Sequence, residues 1–138
     1  MDCADLGVPQ HRVRLFMVLT RSKAPLMLQL PQERHVPAAS FLDFDAGRWS
    51  QIEKPGRTQS TLDRVRNGRQ RFGDRFIMPY DGKGSGTTGR DISRPIGTIT
   101  TLDRWALVDG DRMRMLSANE ALAAMYYPPT PCARTTTG

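Results

Sequence analysis

Apolar residues fall in short blocks along this chain, separated by polar stretches rich in Pro, Gly and Arg. The most solid block is Leu15-Phe16-Met17-Val18-Leu19. A continuous apolar run that is too short for a helix predicts a buried strand. It is led in by Gly7-Val8-Pro9-Gln10-His11-Arg12-Val13-Arg14. Residues two apart share a face of a strand, so Gln10, Arg12 and Arg14 are expected to line one side. They would offer an amide and two guanidinium forks to an anionic, hydrogen-bonding partner. An ordinary strand whose arginines only keep it in solution fits the octapeptide as well.

Residues 24–60 hold Pro25, Pro31, Pro37 and Pro55 and show no sustained period, which predicts loops and short elements. Within them, Ala38–Phe44 reads as a short helix or turn with Phe41 and Phe44 as packing anchors. A helix is expected over Ser60–Phe72, with Ser60 as N-cap, Leu62 and Val65 three apart, and Gly73 as the stop. Its other faces carry Arg64, Arg66, Arg69 and Arg71, either a solvated face or one lying along phosphates. Phe76–Tyr80 reads as a strand that Pro79 assigns to an edge.

The segment Gly84-Ser85-Gly86-Thr87-Thr88-Gly89 matches a dinucleotide-binding pattern literally, but no helix follows it, and Lys83 stands at the wrong end for a P-loop. A loop of small hydroxyls and cations able to approach a groove closely is the better reading, beside an inert glycine loop. The runs 94–101, Trp105–Val108 and Arg112–Leu116, with a turn at Asp109-Gly110-Asp111, predict a small antiparallel sheet. Ser117-Ala118-Asn119-Glu120 is a capping box opening a helix that ends near Ala124 or Met125, before Pro128-Pro129. Residues 129–138 read as a disordered tail.

The chain has 138 residues, enough for one domain with a modest core. No apolar run approaches the roughly 20 residues of a membrane span, and the N-terminus lacks the pattern of a secretory signal. Cys3 and Cys132 do not make a disulfide framework, which points to a reducing cytoplasm. Twenty Lys+Arg against fourteen Asp+Glu give a net charge of +6, carried almost wholly by Arg. Base composition of the gene accounts for a high Arg-to-Lys ratio but not for the net charge, so a nucleic-acid partner is favoured.

Taken in order, these blocks resemble the C-terminal part of the DNA cytosine-5 methyltransferases. Gln10-His11-Arg12-Val13-Arg14 resembles the Gln-x-Arg-x-Arg of that family's motif VIII. Arg94-Pro95-Ile96-Gly97-Thr98-Ile99-Thr100 resembles the end of its target-recognition region. Arg114-Met115-Leu116-Ser117-Ala118-Asn119-Glu120, with Met125-Tyr126-Tyr127-Pro128, resembles motif IX, in which Tyr126 stands where the family has Gly.

The resemblance implies an α+β chain: terminal strands of a Rossmann-like catalytic domain plus a small mixed-β target-recognition domain. Its divisions are 1–22, the motif VIII strand; 23–110, the recognition region; 111–128, a returning strand and helix; and 129–138, the tail. Family members flip a cytosine out of duplex DNA and transfer a methyl group to it from S-adenosylmethionine. By position, Gln10, Arg12 and Arg14 would support the target cytidine and its phosphate. Lys83, Arg90, Arg94, Thr98, Thr100 and Arg104 would contact double-stranded DNA. Arg114 and Glu120 would tie the parts together structurally.

The family's cofactor loop and Pro-Cys nucleophile loop are not among these residues, and Pro131-Cys132 lacks their context. Methyl transfer is therefore expected only with a second chain carrying the catalytic domain, and no S-adenosylmethionine or metal is expected on this chain alone. The alternative is a stand-alone DNA-binding remnant or an inactive, truncated gene product. Without a parent sheet, Leu15–Leu19 is expected to expose an apolar edge.

Overall fold

Two runs that the sequence writes without alternation, Phe76-Ile77-Met78 and Trp105-Ala106-Leu107-Val108, become neighbouring strands buried on both faces. Continuous apolar strands of this kind need cover on each side of the sheet. The computed structural model describes residues 1–24, 26–80, 89–100 and 104–126. Among them are 3-10 turns at Cys3–Leu6 and Ala38–Ser40, strands β1 (Ser50–Gln51), β2 (Arg75–Pro79), β3 (Arg90–Asp91), β4 (Trp105–Asp109) and β5 (Arg112–Met115), and helices α1 (Gln59–Phe72) and α2 (Ala118–Ala124). The fold is α+β. The five strands form one sheet in the order β1-β5-β4-β2-β3, every adjacent pair antiparallel.

Alternation along β2 and β4 divides the core in two. Phe76, Met78, Ala106 and Val108 join Met113, Ile52 and Val65 of α1 on one side. Ile77, Trp105 and Leu107 join Ile96, Leu42, Ala38 and Ala124 of α2 on the other, with Phe41 and Phe44 packed against them. Gly68 lets α1 settle on this sheet, because a Cβ there would overlap the Phe76 ring. The β4–β5 hairpin turns through Gly110-Asp111, with Gly110 at φ 56°, where a residue without Cβ is least strained.

The capping box is present in both directions: Glu120 N donates to Ser117 Oγ at 3.2 Å and Ser117 N donates to Glu120 Oε2 at 2.7 Å. The α2 helix ends at Ala124, and Tyr126 just beyond it has φ 65°.

Several expectations are corrected. Leu15–Leu19 forms no strand; the run lies exposed, because no described part of the chain pairs with it. The stretch 94–100 is no strand either, beyond a single parallel bridge between Gln10 and Ile96. Pro79 does not put β2 on an edge. The proline pairs with Trp105 of β4 on one side, and on the other β3 reaches only Phe76 and Ile77, so the missing N–H falls beyond it. Helix α1 starts at Gln59 behind Thr58 rather than behind Ser60. The division drawn after residue 110 falls at the tip of the β4–β5 hairpin. Lys83, residues 101–103 and the tail, with Cys132, lie outside the described residues.

Candidate nucleic-acid interface

Gln10, Arg12 and Arg14 do not share one exposed face. Pro9–His11 is stitched to Ile96 by two backbone bonds, His11 N to Ile96 O at 2.8 Å and Ile96 N to Pro9 O at 3.0 Å. This carries Gln10 inside, at 1% exposure, with its Nε2 buried and without a hydrogen-bond partner. Arg12 is half-buried and its Nη1 donates to Ile99 O at 3.2 Å. Its backbone N–H donates to Asp2 Oδ1 at 2.8 Å. Arg14 is exposed and folds back on Val13 O at 3.0 Å. The alternation rule fails here because two isolated bridges, Gln10 to Ile96 and Val13 to Asp2, do not make a continuous strand.

Most of the other expected contacts gather around this junction. Thr98 Oγ1 donates to His11 O at 2.8 Å. The Arg90 guanidinium lies 6.0 Å from the centroid of the Trp105 ring. Gly97 is what lets the chain pass that ring, since a Cβ there would come within 2.7 Å of Trp105 Cζ2. Thr100 and Arg104 line a cavity of about 370 Å³ with Ile99, Trp105, Met115 and Leu116. Arg94 stands apart, exposed beside Asp91, its carbonyl accepting from Ala38 N at 2.9 Å.

The two ends of β4 differ in charge. At the far end Asp109 takes Arg75 Nε at 2.7 Å and Arg112 Nη2 at 2.8 Å, and Asp111 takes Arg69 Nη2 at 2.9 Å. Arg112, and then Arg75, holds the Asp109 carboxyl below its ordinary pKa. At the Trp105 end, Arg12, Arg90 and Arg104 form no ion pair with any described acid. Unneutralised guanidinium groups beside the Thr98 and Thr100 hydroxyls suit phosphate and sugar contacts. The arginines of α1 are largely committed elsewhere: Arg64 Nη1 donates to Pro79 O at 2.7 Å, and Arg66 pairs with Asp63.

Arg114 and Glu120 form a bidentate pair, at 2.8 and 2.6 Å, with side chains only 1% and 4% exposed. Glu120 Oε1 also accepts from Asp43 N at 3.0 Å, and Arg114 donates to the carbonyls of Met115 and Asp43. The pair thus joins β5, α2 and the loop at Asp43. Burial pushes the Glu120 pKa up, but Arg114 and the Ser117 and Asp43 amides outweigh it, and the net direction is down.

Trp105 was missed as a site residue. In sequence it is one apolar residue in a strand, and its position between Gly97 and Arg90 has no local signature. The described lining of the cavity contains Arg104 and hydroxyls but no carboxylate. That lining does not suit S-adenosylmethionine, whose sulfonium and ammonium are cations. Among the described residues, no group of three or more His, Cys, Asp or Glu is placed to hold a metal. No described helix is long and apolar enough to cross a membrane. No family model, no curated protein and no solved structure matches this chain.

Proposed function

We propose that this chain is the DNA-contacting, C-terminal portion of a DNA cytosine-5 methyltransferase. The observation that carries the reading is convergence. The segment that resembles motif VIII is bonded to Ile96 and Ile99 of the one that resembles the end of the recognition region, and Leu116, in the segment that resembles motif IX, packs against the core cluster that holds Ile96. Three segments that resemble one family's motifs, spread over more than a hundred residues, become neighbours where the arginines form no ion pair with any described acid.

In this reading Arg12, Arg14, Arg90 and Arg104 take phosphates, with Thr98 and Thr100 beside them. Gln10, buried against Ile96, positions this junction rather than touching the nucleotide. Arg114 and Glu120 hold the framework. Transfer of the methyl group to cytosine C5 needs the cofactor and nucleophile motifs of another chain. Tyr126 favours a second reading, a DNA-binding remnant: the resemblance places it where the family has Gly, and its φ of 65° is one that Gly adopts without cost.

Duplex DNA binding by fluorescence anisotropy across a salt series tests the proposal. The expected result is a Kd tighter than ~10⁻⁶ M at physiological salt. Arg12→Ala/Arg14→Ala is expected to weaken binding and to lower the log–log salt slope by about 2. Weak binding with a slope indifferent to that double substitution would contradict it.

A further inference from the structure

Residues 13–24 and 26–31 leave the body where Arg14 N donates to Met1 O at 2.9 Å and return where Glu33 N donates to Asp5 O at 2.8 Å. Between those anchors the described residues are in no helix or strand, and no backbone hydrogen bond joins Leu15 through Leu19 to any described residue. Ten large apolar side chains in this excursion are each at least 53% exposed, Leu15 at 83% and Leu19 at 94%. Monomers rarely expose apolar patches beyond roughly 300–600 Å² without a use for them. Apolar residues occupy every position from Leu15 to Leu19, so a strand here would need cover on both faces.

We infer that this excursion is a docking edge for the β-sheet of a second, different polypeptide whose sheet rim is acidic. The inference rests on the preceding reading only for the role of that second chain, not for the surface. Three observations select this occupant. Bare backbone together with two-sided apolar side chains is what strand addition satisfies at once, because ladder bonds and pockets are made together. A lipid surface would take the side chains but leave the backbone groups without partners in hydrocarbon, at several kcal/mol each.

A second copy of the chain would take both, yet residues 6–32 contain Arg12, Arg14, Arg21 and Lys23 and no Asp or Glu. A symmetric interface would set those four cations against the same four. An acidic rim is instead attracted by them.

Amide exchange of the full chain tests the inference, alone and with a short strand peptide of alternating Val and Thr flanked by Glu, against a Lys-flanked analogue. The Glu-flanked peptide is expected to slow exchange at 15–19 by about tenfold or more, and the Lys-flanked one to leave it unchanged. Met17→Pro, at an exposed position, is expected to abolish the protection without moving the melting temperature. Four outcomes overturn the inference. They are protection at 15–19 in the chain alone with sedimentation as a dimer, equal protection by both peptides, protection by neither, and binding to phosphatidylserine vesicles in place of the peptide. None of these readouts involves DNA, so failure here leaves the DNA reading standing. Conversely, a chain without DNA affinity would still show the protection.

Discussion

Leu15–Leu19 and Trp105–Val108 are both unbroken apolar runs, yet the first is more than half exposed throughout and the second is buried. The second run has a hydrogen-bonded strand on each side, the α1 face against Ala106 and Val108, and the cluster of Ala38, Ile96 and Ala124 against Trp105 and Leu107. The first has none of these. An apolar run states a need for burial; whether the chain meets it depends on local devices that bring partners back. Gly110 returns β5 onto β4, and the Ser117–Glu120 box starts α2 immediately afterwards. Arg21-Ser22-Lys23-Ala24 supplies no such return, and residues 15–19 and 26–30 do not pair.

The largest effect is expected from breaking the buried pair that braces the packed region. Glu120→Ala leaves Arg114 charged and buried, and chemical denaturation should show a loss of about 3–5 kcal/mol. Replacing both partners by apolar residues, Arg114→Met with Glu120→Leu, should restore most of it.

Acid reaches the same pair chemically. Glu120, Asp2 and Asp109 all have pKa values lowered in the fold. Their contribution is therefore fully present above the ordinary carboxylate range and is lost as pH falls below about 4 through the depressed values. A melting temperature that stays level from pH 7 to 5 and then drops is the expected profile. A maximum below pH 4 would contradict it.

A smaller effect of opposite sign is expected at Tyr126, 75% exposed with φ 65°. Tyr126→Gly should stabilise the chain by about 1 kcal/mol, because only the left-handed strain is removed. Least of all, Leu19→Ser should change stability by less than about 0.5 kcal/mol. A larger loss there would mean that the excursion packs on the body after all.

What the sequence made legible is what neighbouring residues decide. The α2 cap, the Gly73 stop, the β4–β5 hairpin and the six-residue spacing of Arg114 and Glu120 are all set within a few positions. The exposure of Leu15–Leu19 was legible only through the resemblance, which leaves the parent sheet out of this chain; from its own residues the run reads as a buried strand, which it does not form. The rest is decided at a distance. Gln10 reads as one of three residues on a strand face, but it is buried by Ile96, 86 positions later. Asp109 reads as a turn residue, and its two arginine partners flank it only once β2 and β5 have paired with β4. Trp105 joins the site through Arg90 and Gly97, which no period or spacing links to it.

The most direct test of the central claim is whether the chain reads DNA rather than merely attracting it. Repeated selection of random duplexes by the full chain at physiological salt should enrich one short sequence, with affinity at least about 10³-fold above that for scrambled duplex. The Arg90→Ala/Arg104→Ala variant should retain less of every duplex, selected and scrambled alike, because phosphate contacts carry affinity rather than sequence. Recovery of no consensus, with equal retention of all duplexes, would contradict the account and leave the arginines at the Trp105 end as charge without recognition.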